Sequence, residues 1–129
     1  MKKLFYIVLS ALLLTACQES FEDRCAREAK EFTLKKCPAR INTTTTIDSM
    51  TFDKSRLVMT YYYTVSGILD DAEALRDNDA RGLLLKELKN TASLKLYKDA
   101  GYSFRYVYHS SKEKGTRVLD ATFRKKDYQ

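Results

Sequence analysis

Apolar side chains recur along the chain with two different periods, and these periods separate helices from strands. From residue 21 to residue 36 they recur at helical spacing, which predicts one amphipathic helix. Lys35 and Lys36 near its end fit the helix dipole, and Pro38 is expected to stop it. The apolar stripe consists of Phe21, Cys25, Ala29 and Phe32.

The next apolar positions alternate, which predicts an antiparallel hairpin. The first strand is predicted over Ile41–Phe52, and a change of parity within it predicts a β-bulge near Asp48–Ser49. Residues 53–56 form the expected turn. The second strand, Leu57–Ser66, carries apolar or aromatic side chains at its odd positions and more polar ones at its even positions, so one face is expected to be buried.

Helical spacing returns after Gly67 and gives way to alternation again after Gly101. We expect a short helix after Asp70 or Asp71, a break at Asp77–Asp79, and a main helix over about residues 79–91, with another short turn over 95–99. A second hairpin is predicted from strands over 102–110 and 116–124. Residues 125–129 are expected to form a polar tail.

The order α-ββ-α-ββ predicts an α+β fold: one four-stranded antiparallel sheet, made of two hairpins, with helices packed on one face. Most of the aromatic residues are expected in the core. The opposite face would be free, and Tyr and Arg are residue types enriched at protein interfaces. We therefore predict a partner-binding face for a protein, peptide or glycan there. Its residues are Thr60, Tyr62, Thr64, Arg105, His109, Asp120, Thr122 and Arg124.

The first residues follow the pattern of a secretory signal. Lys2 and Lys3 precede an apolar stretch over 4–14 that is too short to span a bilayer as a mature helix. The segment Leu14-Thr15-Ala16-Cys17 resembles the lipobox of bacterial lipoproteins. That resemblance implies removal of residues 1–16 as a signal peptide and acylation of Cys17, leaving residues 17–129 as a single domain. Because Gln18 is not an aspartate, it also implies the outer membrane as the destination within the cell envelope.

Charge and residue usage argue against several classes of function. The chain has a formal net charge of +6, and removal of Lys2 and Lys3 with the signal leaves a modest excess of positive charge, so nucleic acid is not an expected partner. His109 is the only histidine, and no cysteines stand in a CxxC pair, so no metal or other cofactor is expected. The run Asp77-Asn78-Asp79 lacks the spacing of a calcium loop and is interpreted as a helix break.

Catalysis also finds little support in the sequence. His109 and Ser110 are neighbours on a predicted strand, so their side chains point to opposite faces. Asp48 and Asp120 are the only carboxylates within predicted strands, which makes them a weak candidate pair for glycoside hydrolysis. We therefore predict that the protein is not an enzyme.

Cys25 and Cys37 are the two cysteines of the expected mature chain. Twelve helical steps would separate their α-carbons by roughly 18 Å, whereas a disulfide needs about 7 Å or less. Cys25 lies on the apolar stripe of the first helix. We predict that the two thiols are not paired with each other and that Cys25 is buried in the core.

The order of features resembles that of small exported lipoproteins of Gram-negative bacteria. The likeness extends over nearly the whole mature chain but carries no catalytic residues across. It implies a membrane-anchored envelope protein that binds a partner or has a structural role. An immunity or inhibitor lipoprotein that holds a toxin or hydrolase is the alternative, and an enzyme acting on an envelope substrate is a weaker one. The features are Cys17, Cys37-Pro38, Thr43–Thr46, Tyr61–Tyr63, Leu83–Leu88, and Gly101 with Tyr106–Tyr108.

The lipidation prediction is tested by replacing Cys17 with serine, which removes the thiol that would carry the lipid. We expect a soluble or unprocessed form, because the acyl chains supply the membrane affinity. Cell fractionation together with the intact mass of the purified chain measures this. Unchanged membrane fractionation of the Cys17→Ser variant would contradict the prediction.

Overall fold

The computed structural model describes residues 18–129, so the predicted signal peptide and Cys17 lie outside the described residues. The helices are α1 (Phe21–Lys36), α2 (Ala72–Asp77), α3 (Ala80–Asn90), α4 (Lys95–Asp99) and α5 (Lys125–Tyr128). The strands are β1 (Ala39–Arg40), β2 (Thr45–Asp53), β3 (Val58–Val65), β4 (Ser103–Ser110) and β5 (Arg117–Phe123). None of the helices between residues 18 and 129 has the length and apolarity needed to cross a membrane.

Helix α1 has the bounds predicted from its apolar stripe. The Ser20 side chain caps its start by accepting a hydrogen bond of 3.0 Å from the Asp23 N–H, and Lys35 and Lys36 lie in its last turn. The break predicted between the next two helices is also confirmed. Asp79 adopts a left-handed conformation there and its carboxylate accepts a hydrogen bond from the Gly82 N–H. A Cβ at Gly82 would collide with that carboxylate, so the glycine makes room for the cap.

The sheet corrects the predicted topology. It has five strands in the order β1-β2-β3-β4-β5, and it is mixed, because β3 and β4 pair in parallel. Each predicted hairpin is antiparallel as expected, since short turns join its strands. Residues 66–102 instead carry the chain through α2, α3 and α4 before β4 begins, and such a crossover returns a strand in its original direction.

The threonine run corrects a strand boundary. The predicted strand began at Ile41, but the Asn42 side chain accepts hydrogen bonds from the N–H and the hydroxyl of Thr44, at 2.9 and 3.0 Å. This Asx turn competes with extended pairing, so β2 begins only at Thr45. The bulge predicted near Asp48–Ser49 is confirmed by the register shift between Ile47 and Ser49.

The C-terminal residues, predicted to be a polar tail, form α5 and pack on the core. Tyr128 holds this helix on the core. Its ring packs edge-on against Phe104, at 5.7 Å between centroids, and its hydroxyl donates to the Tyr102 carbonyl at 2.7 Å. One aromatic residue among charged neighbours gave too weak a periodic signal to be recognised.

The core lies between the helices and one face of the sheet. Phe104 and Phe123 are fully buried there, and Tyr102 is 1% exposed. Tyr102 packs against Phe52 and Phe21, at 5.0 and 5.8 Å between ring centroids, which joins β2, α1 and the end of the crossover. Cys25 is 1% exposed in the same cluster, which confirms its predicted burial, and both it and Cys37 are free thiols.

Helix α1 also protects an otherwise open edge of the sheet. Because β1 pairs only with Thr46 and Ile47, the rest of β2 has no neighbouring strand on that side. The Thr33 side chain supplies partners in place of a strand. Its hydroxyl accepts from the Met50 N–H at 2.9 Å, and its one proton is shared between the carbonyls of Met50, at 2.9 Å, and Ala29, at 3.0 Å. A covered edge is less available for pairing with another chain.

The Thr33 contact yields a stability prediction. Thr33→Val keeps the shape of the side chain but leaves the N–H and carbonyl of Met50 without their partner, so we expect a loss of about 1–3 kcal/mol in the free energy of unfolding. Urea titration measures it. The matched control is Thr51→Val, whose exposed hydroxyl on the same strand makes no protein hydrogen bond among residues 18–129, and which should be close to neutral. Equal stability of the two variants would contradict the assigned role of Thr33.

Candidate functional site

All eight residues of the predicted partner-binding face lie on the side of the sheet opposite the core, hereafter the open face. The parallel register places them in rows: Thr60 beside Arg105 and then Thr122, and Thr64 beside His109. Tyr62 and Asp120 flank Val107 in the intervening row. The strand periodicity therefore identified the face correctly, even though the pairing of its central strands was predicted wrongly.

Much of the open face is paired with itself. Arg105 holds the carboxylate of Asp120 with two hydrogen bonds of 2.9 and 2.6 Å, and Arg117 adds a third at 3.0 Å. The Arg105 hydrogen bond is the main cause of the lowered pKa of Asp120. The ring of Tyr62 stacks on that of His109 with 6.3 Å between centroids. These side chains cover Val107, which is fully buried.

One end of the open face forms a recess of about 610 Å³. It lies where β3 and β4 begin and β5 ends, so residues from the β2–β3 turn and from the end of β5 border it. Three arginines and several hydroxyl side chains dominate its lining. These residues are Thr51, Asp53, Arg56, Val58, Thr60, Tyr62, Ser103, Arg105, Thr122 and Arg124.

A second concavity, on the helical side of the sheet, was not identified from the sequence. Tyr61 and Tyr63 on β3 lie directly beside Tyr106 and Tyr108 on β4, with ring centroids 5.3 Å and 5.2 Å apart in the two pairs. They form the floor of a cleft of about 450 Å³, hereafter the tyrosine cleft. Its walls are Ile41, Asn42, Thr45, Leu69, Leu84, Glu87, Thr91, Ser93 and Leu94.

The hydroxyls of the tyrosine cleft are potential donors with no partner in the fold. Within residues 18–129, these four hydroxyl groups make no hydrogen bond to another protein atom, whereas those of Tyr97, Tyr102 and Tyr128 do. Burial raises the pKa of Tyr61 to about 12 and that of Tyr63 further. Burial also raises the pKa of Tyr106 and Tyr108, so all four tyrosines keep their protons at physiological pH, and Glu87 is the acidic residue in the cleft wall. The alternation of these tyrosines is visible in the sequence, where it predicts core positions and not a cleft.

The candidate catalytic residues are dispersed. His109 stacks on the open face, whereas Ser110 is buried and accepts a hydrogen bond from the Glu113 N–H at 3.0 Å. Asp48 on β2 and Asp120 on β5 are separated by two intervening strands, or roughly 14 Å at the usual strand spacing, which exceeds the separation that glycosidases use. In the described part of the chain, no three His, Cys, Asp or Glu side chains converge as metal ligands.

One buried carboxylate joins the crossover to the second hairpin. Asp70, 3% exposed, accepts hydrogen bonds at its Oδ2 from the Ser111 N–H, the Ser111 hydroxyl and the Lys112 N–H, at 3.1 to 3.2 Å. The pKa of Asp70 is lowered, and the Ser110 hydroxyl is the largest cause. The Lys112 N–H is the next largest of the contacts that lower it. The connection from β3 to the helices is therefore fixed to the loop that follows β4.

Comparison with known proteins assigns the chain to a family. Residues 20–119 match the family described as a domain of unknown function (DUF8479). The chain belongs to this family. No curated protein matches the chain.

Two solved structures share the fold. One is described as a candidate secreted protein of Pseudomonas aeruginosa: it is 18% identical, its TM-score is 0.66, and the match covers 87% of this chain and all of that one. The other is EpsS, the pilotin of the Vibrio vulnificus type 2 secretion system: it is 12% identical, its TM-score is 0.61, and the match covers 84% of this chain and 91% of that one. At these identities the likeness concerns the fold.

Asp70 carries a pH prediction. Its folded pKa lies below the ordinary value of 3.8, so its contribution to stability is complete above that value and is lost as the pH falls through the folded pKa. We expect Asp70→Asn to lower the Tm at pH 7 and to flatten the fall of Tm between pH 4 and pH 2. Asp71→Asn, one residue later, exchanges one good helix cap for another and is the control. A wild-type pH profile retained in the Asp70→Asn variant would contradict the assignment.

Proposed function

We propose that this protein is a non-enzymatic lipoprotein of the bacterial cell envelope that binds another envelope protein in its tyrosine cleft. The four tyrosine hydroxyls that have no hydrogen-bond partner within residues 18–129, set on an aromatic floor, are the observation that carries the proposal. Tyrosine contributes large contact area and one hydrogen bond at little cost in side-chain entropy, which is why it is common in binding surfaces.

The walls of the cleft indicate what it would bind. Leu84 and Leu94 offer apolar contacts on one side and Ile41, 56% exposed, offers one on the other. A segment with apolar side chains would bury against these walls, and its polar groups would accept hydrogen bonds from the tyrosines. The cleft therefore fits an amphipathic segment of a protein better than it fits a glycan or an ion.

The shared fold supports the envelope assignment. One structural neighbour is described as a candidate secreted protein, and the other is the pilotin of a secretion system. Together with the lipobox-like segment ending at Cys17, they support an exported protein anchored by lipid, with the outer membrane as its expected location. By the same likeness, we propose that the partner is an envelope component of a secretion system.

The cleft is tested by co-expressing the protein with type 2 secretion envelope components of its own bacterium and measuring the affinity of the complex that co-purifies. Tyr63→Phe combined with Tyr108→Phe removes two donors and keeps both rings. Each lost hydrogen bond to the partner is worth about 1 kcal/mol, so we expect the affinity to fall roughly tenfold or more.

Tyr62→Phe provides the matched control, since Tyr62 lies between the cleft tyrosines on the same strand but faces the opposite side. Its affinity should equal that of the wild type. The proposal fails if the cleft variant binds as tightly as the wild type, or if only Tyr62→Phe weakens the complex. Tight binding of a toxin or hydrolase in place of a secretion component would favour an immunity or inhibitor lipoprotein.

A further inference from the structure

The recess on the open face contains two arginines that the fold does not use. Arg105 is held by Asp120, but the guanidinium groups of Arg56 and Arg124 make no ion pair or hydrogen bond with other groups in residues 18–129. Both side chains belong to exposed residues at the rim. Such groups have their full donor capacity available for an anion, and guanidinium matches the oxygens of a phosphate in a bidentate manner.

The floor between these arginines is made of hydroxyls. Thr51, Thr60 and Thr122 lie in one row across the sheet, with Arg105 between the last two. Ser103 lies in the next row on β4, opposite Val58. None of these four hydroxyls makes a hydrogen bond to a protein atom in the described part of the chain. They can donate to further oxygens of a ligand that the arginines hold.

The one acidic residue in the lining does not oppose an anion strongly. The Asp53 carboxylate is hydrogen-bonded within the β2–β3 turn. Its Oδ1 accepts from the N–H and hydroxyl of Ser55 and from the N–H of Arg56, at 2.7 to 3.2 Å. These contacts lower the pKa of Asp53, the Ser55 hydroxyl being the largest cause. The nearby charge of Arg56 also lowers this pKa, so Asp53 stays ionised. Because the lining has three arginines and this one carboxylate, its net charge is positive.

The position of the recess relates it to the membrane. Helix α1 begins at the same end of the molecule: Asp23 pairs with Lys54 in the β2–β3 turn at 2.8 Å, and Glu22 accepts from the Tyr102 hydroxyl, just before β4, at 2.9 Å. Residues 18–20 alone separate Cys17 from α1. Extended, that link spans about 14 Å, so a lipid on Cys17 would keep this end near the headgroups.

We propose that this arginine recess binds the phosphate of an anionic phospholipid headgroup in the membrane that anchors the protein. Arg56 and Arg124 hold the phosphate oxygens from the two sides, and the hydroxyl floor accommodates the polar remainder of the headgroup. The position of the recess next to the membrane depends on the proposed lipidation of Cys17. Phosphate binding in the recess does not depend on it. Binding there would orient the tyrosine cleft, which lies on the opposite side of the sheet, relative to the membrane.

The test uses residues 18–129, which contain every element of the described core, so that no lipid anchor contributes to binding. The probe is a vesicle of phosphatidylcholine with or without phosphatidylglycerol, and the partition coefficient is measured by co-sedimentation. We expect binding only when phosphatidylglycerol is present. Arg56→Gln with Arg124→Gln should reduce the partition coefficient about 25-fold, at about fivefold per arginine near an anionic surface.

Arg76→Gln with Lys114→Gln is the matched control. It removes the same charge from α2 and from the β4–β5 loop, at the other end of β4, and both positions are exposed. It should keep most of the binding, and both double variants should keep the wild-type Tm. Equal losses in the two double variants would show general charge attraction and overturn the proposal, as would wild-type binding by the Arg56/Arg124 variant or equal binding to the two vesicle types. None of these results depends on the tyrosine cleft.

Discussion

The two central strands of the sheet, β3 and β4, run in parallel, and parallel neighbours cannot be joined by a tight turn. The chain must leave Val65, cross one face of the sheet and return to Ser103 at the opposite end. That crossover contains α2, α3 and α4, and it places Leu88 over the aromatic side chains of both strands. This one pairing therefore places α2, α3 and α4 on the face of the sheet where α1 and α5 also pack.

The same pairing creates the tyrosine cleft. Parallel register sets Tyr61 beside Tyr106 and Tyr63 beside Tyr108, so four rings lie together in two adjacent rows. The helices bury the rows around Phe104 and Met59, whereas Tyr61, Tyr63 and Tyr108 stay partly exposed between α3 and the β1–β2 connection.

The two sides of the sheet consequently differ in chemistry. The cleft is aromatic and rich in hydroxyl donors, burial keeps its tyrosines protonated, and Glu87 is the acidic residue in its wall. The open face combines an internally paired half, organised by Arg105 and Asp120, with a recess whose other two arginines make no ion pair within residues 18–129. A single layer of strands thus separates a surface suited to an amphipathic protein segment from a surface suited to an anion. The short link to Cys17 lies at the same end of the sheet as the arginine recess.

Local features of this protein were determined by the sequence alone. The bounds of α1, the bulge near Asp48, the break before α3, the burial of Cys25 and the eight residues of the open face all depend on neighbours a few positions apart, where spacing and capping chemistry decide the outcome. The parallel centre of the sheet, the pairing of Ala39–Arg40 with β2, the docking of Tyr128 and the tyrosine cleft were decided only by the tertiary structure. Each of these depends on contacts between segments far apart in the chain. Alternation along a strand specifies which face of the sheet a side chain occupies. It does not specify which strand lies beside that side chain or how completely a helix covers it.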